Sequence, residues 1–285
     1  MPNLNKNLEK DLKKVESLMR KNLSKEPVVS DLYDYIFNKS GKKVRASISL
    51  ISSYGMNKNQ QNRVKLAAII ELLHTATLVH DDIVDNSDLR RGRTTVNVAW
   101  SNSHGVLIGD FIYSKAFMLM NEIGNLKVVD ELSSATNKIA EGELMQLENK
   151  NNLDASLQQL KRISYYKTGR LFEASAKSAA MLSNKSTSFT ENISKAAKLI
   201  GIAFQVRDDL LDYGISKGNI GKPEMQDILE DKITYPLYFA LKSSSKKDTS
   251  RILKKIKNKD FNAEEVSDFV SSSDAFNKCN SLIQS

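Results

Sequence analysis

The sequence predicts an all-α chain, and three observations predict it. Proline is nearly absent: Pro2, Pro27, Pro223 and Pro236 are the whole set, so from residue 28 to 222 no ring interrupts a helix. Apolar residues recur at helical rather than alternating spacing. Two stretches, 66–85 (LAAIIELLHTATLVHDDIVD) and 193–211 (ISKAAKLIGIAFQVRDDLL), are apolar around most of their circumference, as a buried central helix is. No linker, low-complexity tract or convincing strand pair interrupts this pattern. The 285 residues, 40% of them hydrophobic, suffice for one large domain or two small ones, and for a substantial core; the pattern reads as one.

From the N-terminus, MPNLNKNLEKDLKKVE is polar and has no apolar signal core. Gly41, Gly55, Gly92, Gly124 and the cluster Gly214, Gly218 and Gly221 mark turns. No run reaches the ~18 uninterrupted apolar residues of a membrane span. The single cysteine, Cys279, excludes an internal disulfide framework and a cysteine-based zinc site. A reducing cytoplasm is the expected location, with at most peripheral membrane contact. Net charge is +8, mostly lysine scattered along the chain. No basic stripe interleaved with aromatics accompanies it, so no nucleic-acid partner is expected.

The chemistry is concentrated in 80–93, HDDIVDNSDLRRGR, where an acidic block precedes a basic one. LVHDDIVD (78–85) and FQVRDDLLD (204–212) repeat one pattern, V-x-D-D-apolar-apolar-D. Both close a long apolar helix, which predicts two walls of one central apolar cavity. Helical residues four apart share a face. Asp81 therefore pairs with Asp85, and Asp208 with Asp212, while Asp82 is turned off by about 100°. Crowded carboxylates repel one another unless a cation neutralises them. Oxygen-only ligation favours Mg²⁺ or Mn²⁺, and Mg²⁺ commonly completes its shell with water and substrate phosphate. Arg90, Arg91 and Arg93 suit the same partner, because guanidinium matches phosphate geometry. The segment reads as a diphosphate site. An acidic helix end with solvated ion pairs is the bland alternative for one copy; two copies, one followed by RRG, outweigh it.

These residues resemble the trans-isoprenyl (polyprenyl) diphosphate synthase family, with its DDxxD followed by RRG and its later FQxxDDxxD. The likeness runs over about 40–240, and ELLHTATLVHDDIVDNSDLRRGR, VLIGDFIYSKAF, IAEGELMQL and KTGRLFEASAK place it nearest the octaprenyl diphosphate synthase subgroup, which makes the ubiquinone side chain. The resemblance implies an isoprenoid synthase-like fold over 1–285, as a single domain with a shortened C-terminal end. It implies repeated head-to-tail condensation of isopentenyl diphosphate onto an allylic diphosphate, farnesyl or geranyl, by a homodimer. It also implies three Mg²⁺ ions per site, held by Asp81, Asp85 and Asp208, with Asp82 and Asp212 as supporting or partial ligands.

For the substrates, Arg90 resembles the arginine at the allylic diphosphate and Arg91 the one at isopentenyl diphosphate. SGKKVRAS (40–47) resembles GGKRxRP and gives Lys42 and Arg45 as isopentenyl diphosphate contacts. His74 stands at a third such contact, two turns before Asp81. Without the motif a lone helical histidine reads as an ordinary core residue. Lys167, Thr168, Gln205, Lys222 and Lys232 resemble allylic-side contacts, and each has a bland reading as surface lysine or helix polar residue.

Side chains just before the first DDxxD limit product length in this family. Here Ala76 and Thr77 are small, and Leu73 and Ile70 below them are aliphatic, which predicts a long product. FIYSKAFMLM (111–120) is a candidate tunnel floor. The chain departs from the family pattern at several places. Ala46 and Thr94 replace prolines, Met225 and Asp231 stand where glycine is usual, and Asp231 adjoins Lys232. The chain also ends early, so that a final helix is expected to be missing. The competing readings are a geranylgeranyl or farnesyl synthase, a non-catalytic partner subunit, whose motifs should be degraded, and a terpene cyclase, which the RRG and second DDxxD argue against.

Overall fold

The computed structural model describes residues 2–21, 24–38, 41–54, 60–150, 152, 154–213, 226–229 and 232–285. Lys222, Met225, Asp231, Pro223, Gly55, Gly214, Gly218 and Gly221 lie outside the described residues. The chain forms two compact units, Met1–Asn137 with Leu171–Ala197, and Lys138–Arg170 with Lys198–Ser285.

Unit 1 begins with α1 (Pro2–Arg20), α2 (Pro27–Phe37), α3 (Val44–Ser52) and α4 (Gln60–Val84). A two-residue hairpin, β1 (Leu89–Arg90) and β2 (Arg93–Thr94), follows, then α5 (Val96–Ala99) and α6 (Asn102–Ile123). The all-helical expectation holds. The hairpin is the one pairing among the described residues that it did not include, because two residues per strand are too short to show an alternating period.

The long α4 is the predicted buried helix. Leu66, Ile69, Ile70, Leu72 and Leu73 are fully enclosed, in a core shared with Ile112, Ala116 and Met120 of α6. Two glycines of α6 let the helices approach closely. A Cβ at Gly105 would lie 2.6 Å from Cδ1 of Ile83, and one at Gly109 would overlap the His80 ring.

Later in the chain come α7 (Leu126–Glu148), α8 (Leu157–Ser164), a π-helical turn (Tyr165–Gly169), α9 (Arg170–Leu182) and α10 (Thr187–Asp212). The chain finishes with α11 (Gln226–Leu229), α12 (Tyr235–Ser243), α13 (Lys246–Lys257), α14 (Ala263–Ser271) and α15 (Ala275–Gln284). Unit 2 has two apolar clusters. One gathers Tyr213, Leu237, Ile252 and Phe269; the other gathers Val206, Leu210, Tyr235 and Cys279. Burial pushes the Cys279 thiol up to about 12, with Asp209 adding to the shift, so it stays protonated and inert. No described helix is long and apolar enough to cross a membrane.

Candidate active site

In unit 1 the site starts from how α4 stops. Asn86 adopts a left-handed conformation (φ 50°), which Asn tolerates better than most residues. Its N–H donates to Ile83 O at 3.2 Å, and Ser87 N–H donates to Asp82 O at 2.8 Å. This pair of bonds is a Schellman helix end. Asp81 and Asp82 therefore stand on the last turn of α4 and Asp85 immediately after it, with Asp81 and Asp85 half-buried and Asp82 buried.

The chain returns at once through RRGR. Arg91 (φ 54°) and Gly92 (φ 71°) are both left-handed, the requirement of a two-residue type I′ hairpin turn. Arg90 pairs with Arg93 and Leu89 with Thr94. The turn fixes three guanidinium groups. Arg90 Nε donates to Asp82 Oδ1 at 2.6 Å, so Asp82 holds an arginine as well as belonging to the acidic block. Arg93 lies over the Tyr35 ring, 4.3 Å from its centroid. Arg91 lies so close to Gly41 that a Cβ there would meet its guanidinium at 2.6 Å. Burial first, and then Arg90, lower the pKa of Arg91; it remains a cation.

The stretch resembling the isopentenyl-side motif sits beside this hairpin at the start of α3. Arg45 Nη1 lies 3.1 Å from His74 Nε2, and the guanidinium covers Phe172 at 4.5 Å. Burial, then the charges of Arg45, Arg91 and Arg90, hold His74 well below the ordinary histidine range. The neutral ring accepts the Arg45 proton at Nε2 and so carries its own at Nδ1. Lys42 is exposed. The cluster thus brings together Arg45, His74, Arg90 and Arg91. It adds Glu71, which the sequence reading did not single out. Glu71 Oε1 accepts from Ala46 N–H at 3.0 Å. Burial raises its pKa, against the opposing pull of the Ala46 hydrogen bond, Arg45, Lys43 and Arg91.

In unit 2 the second acidic end is wired differently. Asp208 is exposed and Asp212 half-buried. Between them Asp209 is enclosed and, though not anticipated, forms a hub. Its Oδ1 accepts from Gln205 Nε2 at 2.8 Å and its Oδ2 from the Tyr235 N–H that opens α12, at 3.0 Å. Burial, then Asp227, raise its pKa, with Asp208 adding to the shift. Gln205 in turn accepts from the Thr168 hydroxyl at 2.7 Å. Asp212 Oδ2 accepts from Asp227 N–H at 3.3 Å, and Lys232 N–H donates to Asp227 O at 2.8 Å.

Lys167 and Thr168 lie on the π-helical turn, where Arg170 N–H reaches back to Tyr165 O. Such turns often mark functional positions. Gly142 of α7 makes room for it: a Cβ there would lie 2.8 Å from both Lys167 N and Tyr166 Cβ. The close approach lets Lys167 Nζ donate to Glu143 Oε2 and Gln146 Oε1, both at 2.7 Å.

Among the described residues no group of three or more carboxylate, histidine or cysteine side chains is placed to hold a metal ion. The donor set nevertheless fits Mg²⁺. Each helix end offers oxygen ligands in a pair four residues apart, and Mg²⁺ bound through one or two carboxylates takes its other ligands from water and phosphate. Of the chain-length residues, Ile70, Leu73 and Ala76 have no exposed surface, while Thr77 is half-buried. In the candidate floor segment, Ile112, Ala116 and Met120 are core, whereas Phe117 and Met118 are exposed on α6.

The polyprenyl synthetase family model matches residues 26–272. The chain is 41% identical to an octaprenyl diphosphate synthase of Escherichia coli (strain K12) over 214 residues, which are 75% of this chain and 66% of that protein. It thus spans just under two thirds of that relative's length. It is 40% identical to an all-trans-nonaprenyl-diphosphate synthase (geranyl-diphosphate specific) of Rhodobacter capsulatus over 222 residues, covering 78% of this chain and 68% of that one. Among solved structures, a polyprenyl synthase from Caulobacter crescentus CB15 complexed with calcium and isoprenyl diphosphate superposes with a TM-score of 0.93 at 30% identity, covering 99% of this chain and 87% of that one. The all-helical fold is therefore that of the isoprenoid synthases, and the chain belongs to the polyprenyl synthetase family of prenyltransferases.

Proposed function

We propose that the protein is a long-chain trans-polyprenyl diphosphate synthase that adds isopentenyl diphosphate repeatedly to an allylic diphosphate, farnesyl or geranyl, up to an octaprenyl product serving a quinone side chain. The arginine hairpin at the end of the aspartate helix carries this reading. It sets two guanidinium groups beside Arg45 and His74, on the turn that follows Asp81 and Asp85. Such an array of cations and neutral donors suits a diphosphate better than any neutral ligand.

In this reading Asp81, Asp85 and Asp208 hold Mg²⁺, with Asp82 and Asp212 supporting. Mg²⁺ when bound neutralises the allylic diphosphate as it departs. Arg90, Lys167, Thr168, Gln205, Lys222 and Lys232 bind that diphosphate. Lys42, Arg45, His74 and Arg91 bind isopentenyl diphosphate and aim its double bond at the allylic carbon. Apolar surroundings keep water from the cation that forms. The whole chain acts as one catalytic domain in the cytoplasm. It works as a homodimer, supported by the apolar surface that α6 leaves open, with Leu107 67% and Met118 68% exposed. Surfaces of this kind mark association sites.

Thr77 is the proposed limit on product length, with Ala76, Leu73 and Ile70 behind it. The sealed packing of those three favours a second reading, a geranylgeranyl-length product.

Purified protein incubated with Mg²⁺, farnesyl diphosphate and labelled isopentenyl diphosphate should yield a ladder of products reaching the octaprenyl chain by mass spectrometry. Thr77→Phe should end it earlier, and Asp81→Ala should lower kcat at least about a hundredfold. A wild-type ladder that stops at geranylgeranyl length establishes the second reading. No product, with Asp81→Ala indistinguishable from wild type, overturns both.

A further inference from the structure

Glu71 is a buried carboxylate that no step above uses. It faces the start of α3, where the chain lacks an ordinary cap. The residue before that helix, Lys43, is left-handed and its side chain makes no cap bond; it pairs with Glu16 instead. Helix-opening N–H groups have no partner within their own helix. Ala46 is fully enclosed, so water cannot serve its N–H, and Glu71 Oε1 does so at 3.0 Å.

Glu71 lies one helical turn before His74, on the same face of α4. The face therefore grips α3 at two successive residues, Ala46 through Glu71 and Arg45 through His74 at 3.1 Å. The motif that 40–47 resembles carries proline where this chain has Ala46. Proline would fix φ and bring no N–H, whereas alanine does neither.

We infer that Glu71 is a positioning residue: by holding the Ala46 N–H it gives the first turn of α3 the rigidity that proline would supply, and so keeps Arg45 against His74 for the isopentenyl diphosphate. The inference rests on the proposed function for the identity of that anion. Removing one partner of a buried hydrogen bond is costly, while removing both is close to neutral. Positions 71 and 46 should therefore be coupled.

The test is a kinetic cycle on the full-length protein. E71A should raise KM for isopentenyl diphosphate about tenfold, with kcat and KM for farnesyl diphosphate within about twofold. E71Q keeps an acceptor oxygen for Ala46 and should stay within about threefold of wild type. Adding A46P to E71A removes the orphaned donor and should restore KM to within about threefold. A rise in both KM values alike, no rise at all, or no rescue by A46P overturns the inference. Should E71A alone not fold, the double variant must fold and match A46P in KM for isopentenyl diphosphate; a double variant that also fails to fold overturns it. Wild-type protein that makes no product refutes the function instead. Titration with inorganic pyrophosphate in EDTA then decides the positioning role: weaker binding by E71A, restored by A46P, supports it, and equal binding overturns it.

Discussion

His74 shows how much one side chain can be asked to do. It closes the Arg45 contact and stays neutral because burial and three arginines disfavour its charged form. The sign of the resulting pH dependence follows. Its folded pKa is depressed, so below about 6.5 the unfolded chain takes up a proton that the folded one refuses. Stability is then lost as pH falls through that value and regained as it rises. Urea unfolding at pH 7 and at pH 5 should show a smaller fall in stability for His74→Gln than for wild type; equal falls would mean that the ring titrates normally in the folded state. The residue itself stood out only through the family motif, since a lone helical histidine otherwise reads as core. Its partner was less legible, since nothing in SGKKVRAS says which of its cations meets the ring. Glu71 was not legible, and Asp209 was visible only as a member of the repeated acidic pattern. Their bonds run to backbone N–H groups 25 and 26 positions away, and no side-chain pattern records them.

At the scale of elements, the two aspartate helices were readable because four-residue spacing survives in a linear sequence, but only α4 is the buried helix expected: on α10, Leu199, Ile200 and Phe204 are 60%, 50% and 39% exposed, because an apolar circumference does not say which sides are covered. The π-helical turn was not readable. YYKTG looks like any helical segment until Gly142 on α7 allows a backbone to come within van der Waals range. That approach is what holds Lys167 over Glu143 and Gln146. Gly142→Ala should therefore force the two apart at a cost of about 1–3 kcal/mol. KM for the allylic diphosphate should rise severalfold while KM for isopentenyl diphosphate stays within about twofold. Steady-state kinetics with each substrate varied in turn separates these outcomes. An equal rise in both would place the damage in general packing. The hairpin belongs to the same scale. RRGR was read for its charges, and its left-handed pair Arg91 and Gly92 turns that run into a fixed clamp.

For the whole molecule, scarce proline together with helical apolar spacing predicted an all-helical chain, and α13 to α15 extend that pattern to residue 284. What composition could not reveal is which apolar side chains remain outside. Leu107 and Met118 of α6 each keep about two thirds of their surface. On α6 they lie eleven residues apart, three helical turns on one face. Leu107→Asp with Met118→Asp should turn a dimer into a monomer of 31.9 kDa. Light scattering after size exclusion reads the mass directly. A wild type that elutes as a monomer removes the homodimer from the proposal.

Tyr35 of α2 bonds the far strand of the hairpin, its hydroxyl donating to Thr94 O at 2.8 Å. The same ring meets Trp100 edge to face, with centroids 4.7 Å apart. Trp100 is the chain's single tryptophan. The clamp thus carries its own fluorophore, with a tyrosine donor in contact, and the emission of unlabelled protein is a light signal tied to one short segment of 285 residues.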